Sequence, residues 1–251
     1  MKKILLSTLI AAFVAFAPTA FAAQGTSSPY SDAAGDIDPG IANGGGTLDI
    51  LGMEVANTAS DITFTLTLNG DIASTDWGQF MIGISTGSTL NTTNGNGWAR
   101  PIELNSPIGG MDYWIGSWVN AGGGSQVWSY DGASWSNSGA LDSFSLLAGA
   151  TSTITYRATL SSLGLAANDT FYFDAYSSGG GGSDSAVDSL ANPNVSITSW
   201  GESYTSSTTG SGGLGLNSYQ VQAVPEPSTY ALLALSAIGL ASYVFRRRLR
   251  V

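Results

Sequence analysis

The stretch "DITFTLTLNG" sets Ile62, Phe64, Leu66 and Leu68 in strict alternation with Thr63, Thr65 and Thr67. A period of two places every apolar side chain on one face of a β-strand and every threonine on the other. No helix can use that pattern, because it would scatter the apolar residues around the cylinder. Asn69-Gly70 then supplies a turn signal. The same rhythm recurs along the body. "TLDILGMEV" carries Leu48 and Ile50, then Met53 and Val55 beyond a Gly52 break that reads as a bulge. "QFMIGIST", "MDYWIGSWV" and "STITYRATL" are further strands, the last with Ile154, Tyr156, Ala158 and Leu160 on one face. In "SQVWSYDGASW", Asp131-Gly132 marks a hairpin between Tyr130 and Trp135. "DTFYFDAYS" sets Phe171, Phe173 and Ala175 opposite Tyr172, Asp174 and Tyr176. Residues 161–165 read as one helical turn, and "SITSW" and "NSYQVQAV" as short final strands.

No long stretch of the body shows the 3.6-residue period. The expectation is an all-β fold of eight to ten strands in one domain, a β-sandwich of two sheets, spanning residues 47–202. Residues 23–46 form an acidic Gly/Asp-rich leading segment, read as a loop or arm. Residues 203–224 form a Ser/Thr/Gly-rich stretch with a candidate last strand; 203–215 reads as a flexible loop or stalk. Gly179 to Gly182 is also a loop, without the strand–loop–helix setting and Lys of a phosphate cradle.

Both ends differ from this body. Lys2 and Lys3 precede an apolar run over 4–16, and Ala20-Phe21-Ala22 then forms a small-residue cleavage site, most simply cut before Ala23. This is the layout of a secretory signal peptide, residues 1–22. At the other end, residues 228–245 carry no charge. Eighteen residues make a helix of about 27 Å, close to the roughly 30 Å of a bilayer core. Tyr230 and Tyr243 fall near its two interfaces. Arg246, Arg247, Arg248 and Arg250 follow, and such clusters stay on the cytoplasmic side. The two ends therefore agree on an exported body anchored by one C-terminal transmembrane helix. Just before it, the prolines of Pro225-Glu226-Pro227 fix φ and favour an extended segment that a processing enzyme can grip.

Residues 224–250 thus combine Val-Pro-Glu-Pro-Ser, one spanning helix and an arginine cluster, and this unit resembles the PEP-CTERM sorting signal of Gram-negative bacteria. The resemblance implies recognition and cutting by an exosortase, a membrane-embedded cysteine protease, in bacteria that make exopolysaccharide. The precursor would sit in the inner membrane with its body outside, and the product would move to the cell surface or beyond. A second resemblance covers part of the body. "SDAAGDIDPG", "LDILGMEVANTASDITFTLTLNG", "RATLSSLGL" and "AVDSL" occur in an order similar to jelly-roll or DOMON-like sandwiches of the type-9 carbohydrate-binding-module kind. That group implies binding of sugars, of haem, or of no known ligand. Haem is disfavoured by the missing histidine and by the lack of a methionine that stands out as an axial ligand.

Composition narrows function further. Between residues 23 and 224 there are seventeen Asp and Glu against Arg100 and Arg157, a net of −15, and no lysine. Such a surface repels phosphate backbones, so no nucleic-acid partner is expected. The chain has no cysteine, so an exported fold must rest on its core alone. It has no histidine, which removes Ser-His-Asp, Cys-His and histidine-zinc chemistry. No nucleophile elbow occurs in a strand–turn–helix setting. Some close pair of carboxylates is inevitable among seventeen acids, so glycosidase chemistry gains nothing from one.

Two sets of residues remain as candidate sites. Asp32, Asp36 and Asp38 alternate in a glycine-containing loop, which suits either a structural Ca2+ or solvated Asp turns. Asp184, Asp188 and Asn192 form a weaker set on a later loop. Trp98, Trp114, Trp118, Trp128, Trp135 and Trp200 either fill the core or present ring faces to sugars. Trp98, Arg100, Trp114 and Trp118 are the candidate glycan contacts, with Trp98 and Arg100 in the loop "GNGWARP". The expected function is non-enzymatic: a structural component of the cell surface or exopolysaccharide matrix. The alternative is a carbohydrate-binding module contacting exopolysaccharide through exposed aromatics. An uncharacterised hydrolase is the third class. No cofactor is expected beyond the candidate Ca2+.

Overall fold

The structure, a computed structural model, describes residues 28–75, 77–207, 215–224, 235–240 and 243. The alternating segment forms a strand over its whole length, Asp61–Leu68, with burial that alternates residue by residue. In chain order the strands are β1 (Ser28–Ser31), β2 (Ile50–Asn57), β3 (Asp61–Leu68), β4 (Gln79–Ser85), β5 (Ile102–Ser106), β6 (Gly109–Gly110), β7 (Tyr113–Trp118) and β8 (Gly124–Tyr130). They continue with β9 (Trp135–Gly139), β10 (Ser143–Leu147), β11 (Ser152–Thr159), β12 (Thr170–Ser178), β13 (Asp188–Ser189), β14 (Tyr204–Ser207) and β15 (Asn217–Gln220). Five of these fifteen have four residues or fewer; of these only β15, within "NSYQVQAV", is marked in the sequence, and β5 and β10, of five residues each, are not marked either.

The strands form open sheets. The first runs β1-β2-β3-β11-β10, and the second runs β13-β12-β4-β7-β8-β9 with β15 also paired to β12. Ile62, Phe64 and Leu66 of the first sheet share a buried core with Phe80, Ile82, Ile84, Phe171 and Phe173 of the second. Phe64 stands edge-on to Phe171 and Phe173, each at 6.1 Å between ring centroids. Ser117 and Tyr156 join the sheets by a hydroxyl hydrogen bond of 2.8 Å inside this core. A short 3-10 turn, Leu160–Leu163, follows β11 and ends at Gly164 with φ 62°, matching the helical turn expected there.

Three local expectations change. The leading segment is not all loop: β1 pairs antiparallel with β2. This close approach needs Gly52, where a Cβ would lie 2.5 Å from the Tyr30 carbonyl oxygen, and the register slips between Ile50 and Gly52 as the expected bulge. The stretch 203–215 is likewise not all loop, because β14 pairs in parallel with β5, and β5 pairs with β6. "SITSW" forms no strand. The third sheet, β14-β5-β6, contributes Ile102 and Leu104 to a second core with Met81, Trp114 and Tyr176. As a result both Phe173 and its opposite-facing neighbours Asp174 and Tyr176 are fully buried.

Residues 24–224 form one compact unit. The expected signal peptide, the segment Pro225-Glu226-Pro227 and the arginines Arg246, Arg247, Arg248 and Arg250 lie outside the described residues. Of the expected spanning helix only 235–240 and 243 are described, all helical. Leu235, Ile238, Leu240 and Tyr243 are each about 60–67% exposed there. Among the described residues no helix is long and apolar enough to cross a membrane.

Candidate functional site

β7 sends alternate side chains to opposite faces of the second sheet. Ile115 and Ser117 enter the shared core, so Trp114, Gly116 and Trp118 point away from it. Antiparallel pairing sets these three opposite Trp128, Gln126 and Gly124 of β8. The glycines matter here. A Cβ at Gly116 would lie 2.3 Å from the Trp98 ring, and one at Gly124 would lie 2.3 Å from the Trp118 ring. The two indoles therefore rest on bare backbone, with 6.5 Å between their centroids. Trp98 Nε1 donates to Gln126 Oε1 at 3.0 Å and Trp128 Nε1 donates to the same oxygen at 3.2 Å. Trp98, Trp118 and Trp128 are each half-buried. One polar side chain thus holds two rings of a three-tryptophan group, and a stretch of sheet without side chains supports it.

The four candidate glycan contacts divide. Trp98 and Trp118 lie at this surface. Trp114 does not: it is fully buried in the second core and stacks on Tyr176 at 5.9 Å. Arg100 does not either, being 4% exposed. It donates to Ser178 Oγ, to Gln79 Oε1 and to the carbonyls of Asp184 and Gly179, so it ties the loop of Trp98 to the end of β12. Its guanidinium carbon lies 5.7 Å from the Trp98 ring centroid, and burial lowers its pKa to about 10. Gln126 and Trp128 complete the group and were not singled out as contacts by sequence. The available signal was a glycine inside each of two adjacent aromatic strands.

The acidic candidates also regroup. One carboxylate oxygen from each of Asp32, Asp36 and Asp188 lies within 4.8 Å of the others. Asp38 stays apart from them: its Oδ1 accepts from the Gly40 amide at 2.8 Å, an Asx turn. From the weaker set, Asp188 has joined the leading loop. Asp184 instead accepts from the Gly181 amide, and Asn192 accepts from the Asn194 amide. Asp49, 2% exposed, lies against the same loop and accepts from the Gly35 amide at 2.9 Å. Burial first, and then the charges of Asp36, Asp174 and Asp49, push the Asp32 carboxyl up to about 8. Burial and Asp49 push Asp36 up to about 6. Burial, Asp32 and Asp36 drive Asp188 well above its ordinary value.

No curated protein matches the chain at the sequence level. One family description matches its end: the PEP-CTERM protein-sorting motif, over residues 223–248. The motif implies an exported protein that is anchored in the membrane before processing and is processed by an exosortase. By that match, the chain is an acidic all-β body joined to a PEP-CTERM sorting motif.

Proposed function

We propose that the body is a non-enzymatic β-sandwich module of the cell surface or extracellular matrix, and that it contacts exopolysaccharide through Trp98, Trp118 and Trp128. The observation that carries this reading is the gathering of three half-buried indoles, two of them bonded to Gln126 and the third beside Trp98, on a glycine-floored face. Indole rings stack on the apolar faces of sugar rings, and a hydrogen-bonded ring loses little freedom on contact. The chain has no histidine for general-base work, which favours binding over turnover. Export supplies the setting, since the motif belongs to precursors handed to an exosortase. The exposed apolar residues of 235–240 suit a lipid-facing helix before cutting.

Titration of tryptophan fluorescence with exopolysaccharide purified from the producing bacterium tests the reading. Wild-type emission is expected to shift and saturate. Trp98→Ala and Trp118→Ala should each weaken binding by about tenfold, roughly the worth of one ring contact. Gly116→Val, which must lift the Trp98 ring, should act in the same direction. A flat wild-type titration would leave a purely structural matrix component.

A further inference from the structure

We propose that Asp32, Asp36 and Asp188, beside the buried carboxylate of Asp49, hold one hard divalent cation, calcium, which joins the leading loop of the first sheet to β13 of the second. The first three already bring an oxygen to a common point. The second observation is what these carboxylates lack. Both oxygens of Asp36, Oδ2 of Asp32 and Oδ1 of Asp49 are buried and accept no hydrogen bond. Buried carboxylates elsewhere in the fold are not left this way. Asp174 accepts from the amides of Ala175 and Ala191 and from the hydroxyls of Ser189 and Ser206.

Neutralisation by a side chain is not open to the cluster. Between residues 23 and 224 the only cationic side chains are Arg100 and Arg157. Arg100 is committed to Ser178, Gln79 and two carbonyls, and Arg157 pairs with Asp61 at 3.0 Å. Crowded carboxyls held out of water otherwise escape mutual repulsion only by taking up protons, and bound calcium would replace those protons, taking oxygen ligands at about 2.3–2.6 Å. The remaining oxygens are already oriented. Asp188 accepts from the amides of Ile50 and Ser189, and Asp49 Oδ2 accepts from Gly35 and from Asn69 Nδ2. These bonds hold the outer side of the site as outer-shell partners do in metal centres.

The exported, processed protein is the material for the test. After equilibrium dialysis against 10 mM CaCl2, elemental analysis should find one calcium per chain above the level of the dialysate. Extracellular calcium modules bind at about 0.1–1 mM, so 10 mM CaCl2 should raise the melting midpoint over EDTA by roughly 5–10 °C. Asp38→Asn should keep that rise, because Asp38 only closes its own turn. Asp36→Asn should lose it. In EDTA, Asp36→Asn should melt at or above wild type, since it removes a buried like charge without removing a hydrogen bond. An unchanged wild-type midpoint would overturn the proposal. So would an equal rise in NaCl of matched ionic strength, or an Asp36→Asn variant that responds as wild type does.

Discussion

Asp61 shows how much the surroundings of one carboxylate decide. Burial alone would raise its pKa, but hydrogen bonds from Arg157, Ser60 and Thr58 outweigh that and hold it below its usual range. A lowered folded pKa stabilises the fold above the unfolded value near pH 4, and the contribution is lost as pH falls through the folded value. The Arg157 side chain is half exposed, so the pair is worth only about 0.5–1 kcal/mol. Asp61→Asn should therefore lower stability by about that much in urea melts at pH 7, with the difference shrinking towards zero at pH 3. The acid count was legible in the sequence, but the fate of each acid was not. Asp32, Asp36 and Asp38 look equivalent as text. The backbone turn after Asp38 places its own amide donor on that side chain, whereas Asp36 receives none. Asp188, more than 150 residues away, takes the place that spacing gave to Asp38.

At the scale of elements, period-two strands were the legible part. β3, β4, β7, β11 and β12 lie where alternation or aromatic runs placed them, because burying one face leaves a mark on every second residue. Phe64 on β3 tests that core directly. Fully buried against Phe171 and Phe173, in a chain without disulfides, Phe64→Ala should cost about 3–5 kcal/mol by chemical denaturation. β1 and β14 were not legible. Each has only four residues, and each is held by a partner chosen at long range. The parallel pairing of β14 with β5 also explains the burial of Asp174. Ser206 of β14 donates to its carboxylate, and Tyr204 donates to Ser189, which does the same. A polar residue in β12 became a core residue because a third sheet covers it, and no local pattern announces that cover.

For the whole molecule, the sorting motif and the body answer different questions. The motif at residues 223–248 implies the route, and the test lies in the product. Intact mass of protein from the medium should show loss of the residues that follow Pro225-Glu226-Pro227, while Glu226→Ala should leave a heavier, membrane-retained chain. The destination was written in contiguous residues because translocation and processing machinery read linear peptide. All-β character and the main strands were local too, since they follow from side-chain alternation along the backbone. What only the tertiary structure decided was which residues meet. Trp114 and Arg100 went inside and Trp128 with Gln126 stayed half-buried beside Trp98, because strand pairing sets their neighbours. Asp188 reached Asp32 and Asp36 for the same reason: burial and register act through space, and contacts between distant residues leave no period in the chain.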